Sequence, residues 1–188
     1  DYADAHWNLA LALLLRGEYV EGWREYQWGL RTPQPRATPR HFDRPAWDGS
    51  DPSGQRVLLY AEQGYGDAFQ FVRYATLIAA RGAEVIVQCQ RGLRPLLSSV
   101  PGVRTVIEDG EVAPEFDLHA SIFDAPRVLG TTCESIPAPG AYISADAALV
   151  RTWRDTLAGL AGFKVGLAWQ GRAAHGHDRL RSIPLRSL

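Results

Sequence analysis

The chain has no methionine, a single lysine (Lys164), and only two cysteines in 188 residues. With Asp1 first and no methionine anywhere, it reads as a processed or excised piece. Every other basic residue is an arginine, which reflects GC-rich coding and not a binding signal. Cys89 and Cys133 form neither a metal motif nor a redox motif, so two reduced cysteines of a cytoplasmic protein are expected. No His/Cys/Asp cluster has metal-ligand spacing, and neither a bound metal nor a cofactor is predicted. The longest apolar run is residues 9–15, against the ~20 residues that a membrane-spanning helix needs. No basic-then-apolar leader is visible. Charge of one sign is also lacking. The 20 basic and 21 acidic residues leave a net charge of −1, so there is no bulk electrostatic case for nucleic acid or an anionic membrane surface.

What is present is an ordinary globular composition, with 46% hydrophobic and 22% charged residues. Residues 1–31 read as two helices that meet near Gly17, with Trp7, Trp23 and Tyr26 at helical steps. Residues 32–55 form a proline-rich linker that Phe42 and Trp47 could anchor to a neighbouring surface. From residue 56 strands and helices alternate. Strands are predicted at 56–61 (RVLLYA), 84–88, 104–107, 116–119 (FDLH) and 163–169 (FKVGLAW). Helices are predicted at 67–81, 93–100, 123–129 and 146–160. This alternation implies an α/β fold, a Rossmann-like and mostly parallel sheet. The expected organisation is a helical hairpin (1–31), a linker (32–55), a Rossmann-like domain (56–162) and the start of a second domain (163–188).

The hairpin resembles one tetratricopeptide (TPR) repeat at Asn8-Leu9-Ala10, Gly17, Tyr19, Gly22, Tyr26 and Gly29. Small residues where two helices touch, with aromatics filling the gaps, are its physical logic. Gly22 and Gly29 stand where alanine is usual, and no second repeat follows. The alternative is an unrelated helical hairpin packed on the α/β domain.

The loop after the first strand is Glu62-Gln63-Gly64-Tyr65-Gly66-Asp67. As a dinucleotide fingerprint it fails twice. Its third glycine position holds Phe69, and no ribose-binding acid follows the second strand, where Gln88-Cys89-Gln90 stands. It is not a Walker A loop either, because no Lys-Ser or Lys-Thr follows. Asp67 with Gln70 three residues on fits a capping box at a helix start. Glu62 follows the first strand directly, where ligands collect in open α/β sheets, and His119 ends the fourth predicted strand at the same edge.

The same loop resembles that of bacterial heptosyltransferase-like glycosyltransferases of the GT-B fold, which have a Gly-Asp pair after the first strand. A TPR-linked branch of that family is more similar still. The resemblance covers Trp47-Asp48-Gly49, Ala61-Glu62-Gln63-Gly64, Gly66-Asp67, Gln70-Phe71, Arg73-Tyr74, Phe116-Asp117-Leu118-His119, Ile136-Pro137, Val165-Gly166-Leu167 and Arg181-Ser182-Ile183-Pro184-Leu185. It implies the N-terminal half of a GT-B fold, with Asp67 as general base. It also implies Glu62, Gln63, Gly64, Gly66, Gln70, Tyr74 and His119 on the acceptor side, and an incomplete donor-phosphate set of Gly171, Arg172, Arg179 and Arg181. The implied partners are a nucleotide-sugar donor and a protein or glycan acceptor, with a possible protein partner on the hairpin. The competing expectation is a non-catalytic interaction module built from the hairpin and the sheet.

Overall fold

The computed structural model describes residues 2–34, 40–138, 140–171 and 178–188. The chain divides into two compact units, Asp1–Asp146 and Ala147–Leu188. The first unit opens with α1 (Ala3–Leu15), rich in alanine and leucine, and α2 (Tyr19–Tyr26). Gly17, at φ +83°, reverses the chain between them in a conformation that favours glycine. A Cβ on Gly22 would come within 2.8 Å of the Leu14 side chain, so this glycine lets the two helices approach closely. A 3-10 turn, Gln27–Arg31, replaces the expected last turn of the second helix.

The sheet consists of β1 (Arg56–Tyr60), β2 (Glu84–Cys89), β3 (Val103–Glu108) and β4 (Leu118–Ser121). Its order is β3-β2-β1-β4 and every pairing is parallel, as the alternating pattern predicts. Between β1 and β2 run α3 (Tyr65–Phe71) and α4 (Tyr74–Ala80), where the periodicity predicts one helix over 67–81. The break has a local cause. The Gln70 carbonyl, which an unbroken helix would use to accept the N–H of residue 74, takes the Arg73 Nε–H at 2.7 Å. Short helices α5 (Arg94–Leu97) and α6 (Ala125–Val128) follow β2 and β4.

β4 begins two residues later than the expected 116–119. Asp117 lies just before the ladder, where its carboxylate takes the Arg56 backbone N–H at 2.8 Å and the Arg56 guanidinium at 3.1 Å. With its backbone N–H donated to the Arg56 carbonyl at 2.9 Å, residue 117 is held at the start of β1.

Val57, Leu59, Val85, Val87 and Ala120 pack on one sheet face with Phe71, Val72, Ala75 and Ile78 of the helices. Trp23 joins the same cluster, so the hairpin is built into the core of the sheet's own unit. The opposite face carries Leu58, Ile86 and Ile107, with Phe42, Ala113 and Phe116 packed against them. Phe42 belongs to the linker, which crosses this face as a strap. Ala46 forms a parallel bridge with His119, and Trp47 is 2% exposed with its indole N–H donated to the Ser50 carbonyl at 2.8 Å.

The second unit holds α7 (Ala147–Leu157) and two 3-10 turns, Asp178–Leu180 and Leu185–Ser187. The strand expected at 163–169 does not form. Among the described residues no strand pairs with it, and Phe163 is 95% exposed. No helix among the described residues is long and apolar enough to cross a membrane.

Candidate functional site

In the order β3-β2-β1-β4 the chain runs outward from β1 through β2 to β3, then returns to the other side of β1. The gap between the carboxyl ends of β1 and β4 is therefore a topological switch point, the place where open α/β sheets bind ligands. The loop after β1 and the turn after β4 both open there, and two side chains close the gap. Ser121, the last residue of β4, donates its hydroxyl to Glu62 Oε1 in a short hydrogen bond and accepts the Phe123 N–H at 3.1 Å. Burial pushes the Glu62 carboxyl above the ordinary carboxylate range. The Ser121 hydrogen bond opposes that shift, Asp124 adds to it and Arg40 offsets it.

Gln63 has φ +66°, the one non-glycine in the left-handed region among the described residues. It is pinned from two sides. Its amide donates to the Tyr26 hydroxyl at 3.3 Å, and its carbonyl accepts from Gln90 at 3.2 Å. Tyr26 brings the hairpin to the site. Its ring lies 4.6 Å from Trp7 and 5.1 Å from Trp23, and it stacks on Phe123 at 5.9 Å. Burial raises the Tyr26 phenol. The Gln63 hydrogen bond works against that shift, while Asp67 and Glu62 add to it as neighbouring negative charges.

Asp67 is half-buried in the first turn of α3. The helix starts two residues earlier than the sequence suggests, with Gly64 as N-cap. Asp67 is therefore not the cap but the residue three positions inside, and its Oδ2 accepts the Gly64 N–H at 2.9 Å. A Cβ on Gly64 would sit 3.0 Å from that same oxygen, so the bare backbone permits the contact. Nothing stands within 4 Å of a Cβ placed on Gly66, so no contact requires glycine there.

The other expected residues fall elsewhere. Gln70 and Tyr74 line a separate cavity of about 290 Å³ between the hairpin, α3 and α4. Tyr74 is 5% exposed, and burial raises its phenol while a hydrogen bond with Thr131 opposes the shift. His119 is the second residue of β4, in register with Leu58 in mid-sheet, and not at the sheet's carboxyl edge. Its ring packs on Phe42 at 4.5 Å beneath the strap, and burial lowers its basicity. The residue that reaches the edge is Ser121.

In the second unit the Gly171 N–H donates to Ser182 Oγ at 3.0 Å, and Ser182 donates to Asp178 at 2.8 Å. Arg181 lies 3.7 Å from that carboxylate. An acid thus lies beside Gly171 and Arg181, two members of the expected phosphate-binding group. Arg179 is exposed, and Arg172 lies outside the described residues. Among the described residues no group of three or more His, Cys, Asp or Glu could hold a metal ion.

No family model matches the chain, and no solved structure matches it. Protein FlbA of Caulobacter vibrioides is 32% identical over 191 residues, which covers 90% of this chain and 32% of that protein. The chain therefore spans about a third of the length of the curated relative it matches.

Proposed function

We propose that this chain is the acceptor-side portion of a nucleotide-sugar glycosyltransferase, with Asp67 as general base and a TPR-like hairpin as part of the acceptor domain. The observation that carries this reading is the pair of carboxylates that follow β1 at the switch point of a parallel sheet, Glu62 in the loop and Asp67 in the first turn of α3. In such a transfer the base takes the acceptor hydroxyl proton as the oxygen attacks the anomeric carbon. The bond from that carbon to the donor phosphate breaks, and the nucleotide leaves with the electron pair. Asp67 holds the Gly64 N–H through Oδ2, so the other oxygen takes the proton. Glu62, raised by burial and bridged to Ser121, holds the two sheet halves together beneath the acceptor.

The test is nucleotide release from a panel of nucleotide-sugars by a longer protein that contains this chain and a donor domain. Asp67→Asn keeps an acceptor for the Gly64 N–H but removes the base. Turnover should fall roughly 10²–10⁴-fold with little change in melting temperature. Near-normal turnover would leave Asp67 a helix-capping residue. The competing reading, a non-catalytic interaction module, draws on the fact that both carboxylates already have hydrogen-bond partners. A folded longer protein that releases nucleotide from no donor decides for it.

A further inference from the structure

The cavity between the hairpin, α3 and α4 holds a cation without an acid. Arg73 is half-buried at its wall, and three of its N–H groups are spent on neutral acceptors. Nε donates to the Gln70 carbonyl at 2.7 Å, Nη1 to the Pro137 carbonyl at 3.1 Å and Nη2 to the Tyr142 hydroxyl at 2.8 Å. The guanidinium also lies over the Tyr142 ring at 4.6 Å. Tyr142 is itself fixed, because its hydroxyl donates to the Phe69 carbonyl at 2.8 Å. Among the described residues no carboxylate pairs with Arg73. A guanidinium has five N–H donors, so two remain on a fork already locked in place. A half-buried cation with only neutral partners is incomplete, and a carboxylate is the partner whose geometry matches the fork.

The rest of the cavity describes the body of the ligand. Tyr19, Trp23, Phe71 and Tyr74 supply aromatic walls, and the Gln70 amide stands exposed at the rim. Ring faces accept the C–H groups of a sugar, while amide and hydroxyl groups take its hydroxyls. A volume of about 290 Å³ is at the small end of ligand pockets, which run from about 300 to 1,000 Å³. One sugar unit fits there, and a nucleotide-sugar does not.

We propose that this cavity binds a single carboxylate-bearing sugar unit, its carboxylate held by Arg73 and its ring by the aromatic walls. It would thereby anchor an acidic residue of the acceptor. The acceptor role rests on the transferase reading; the binding itself does not. The test is calorimetry on this chain with no donor present, using glucuronate, galacturonate and mannuronate, each against its neutral hexose. At least one uronate should bind roughly tenfold or more tightly than its hexose. Arg73→Gln should bring that uronate down to the affinity of the hexose, and Arg73→Lys should fall between. Because Arg73 also fastens Pro137 and Tyr142, a second variant leaves it intact. Ile136→Trp fills the cavity from its partly exposed rim and should abolish uronate binding with the fold unchanged by circular dichroism. Equal affinity for uronate and hexose, no binding of any uronate, or full uronate affinity in Ile136→Trp overturns the proposal. Uronate binding in a chain whose longer form turns over no donor retains this site and removes the transferase. Turnover without uronate binding does the reverse.

Discussion

Glu62 is a carboxyl whose chemistry is altered by its environment. Burial places its folded pKa above its unfolded one, so folding favours the protonated form. The stability this supplies is complete in acid and is lost as pH rises from the ordinary carboxylate range through the raised value. As pH rises through and above the ordinary carboxylate range, the native chain should therefore lose stability relative to Glu62→Gln, whose amide does not titrate. Thermal unfolding of both proteins across that range checks it, and parallel curves would show that Glu62 is not desolvated. Ser121→Ala removes the hydrogen bond that favours the charged form, so the same loss should then fall at higher pH. The neighbouring Gln63 makes a different point. Its left-handed backbone costs a side-chain-bearing residue about 1–2 kcal/mol, while its exposed bond to Tyr26 returns less. Gln63→Gly should raise stability by roughly 1 kcal/mol in denaturant unfolding. On the transferase reading it should also slow nucleotide release in the longer protein, because the loop loses its tie to the hairpin.

At the scale of elements, the hairpin is fastened by one glycine and one indole. A Cβ at Gly17 would lie 2.9 Å from Cys133 Sγ, and the backbone there is left-handed. Gly17→Ala should cost about 1–2 kcal/mol or more in chemical unfolding. Cys133→Ala in the same chain should recover the steric part, a coupling that a double-mutant cycle measures. Trp23→Ala empties the junction with Phe71, whose ring lies 5.6 Å away, and should cost about 3–5 kcal/mol. Helix and strand periodicity made most of these elements legible, including the reversal at Gly17, the parallel sheet and the anchoring of the linker by Phe42 and Trp47. What escaped was set by side chains acting on distant backbone. Arg73 takes the Gln70 carbonyl and splits a helix, and Asp117 grips Arg56 ahead of a strand that starts two residues late. That delay moved the site's edge from His119 to Ser121. The spacing of Tyr26 predicts only a packing aromatic, because nothing in the local pattern announces that topology will carry its hydroxyl to Gln63.

For the whole molecule, the transferase reading assigns the parallel sheet to the acceptor and leaves the donor site to be tested. Calorimetry of these 188 residues with nucleotide-sugars should show no micromolar binding, since a diphosphate needs converging backbone N–H groups and cations. In the second unit an acid stands beside Arg181, one of the cations expected to supply them. Phe163, Val165 and Leu167 are 95%, 68% and 62% exposed, so the chain should self-associate with concentration in sedimentation, and a form ending at Asp146 should not. The strap has a consequence for the order of assembly. Its bridge joins Ala46 to His119, so the segment synthesised before the first strand has no edge to bind until the fourth has been made. On the ribosome Leu58, Ile86 and Ile107 therefore emerge with one side bare, and Phe42 seals them only in the final step. The nascent sheet should be open to aggregation during that interval, and Phe42→Ser should lengthen it, lowering soluble yield more than it lowers the melting temperature of the molecules that mature.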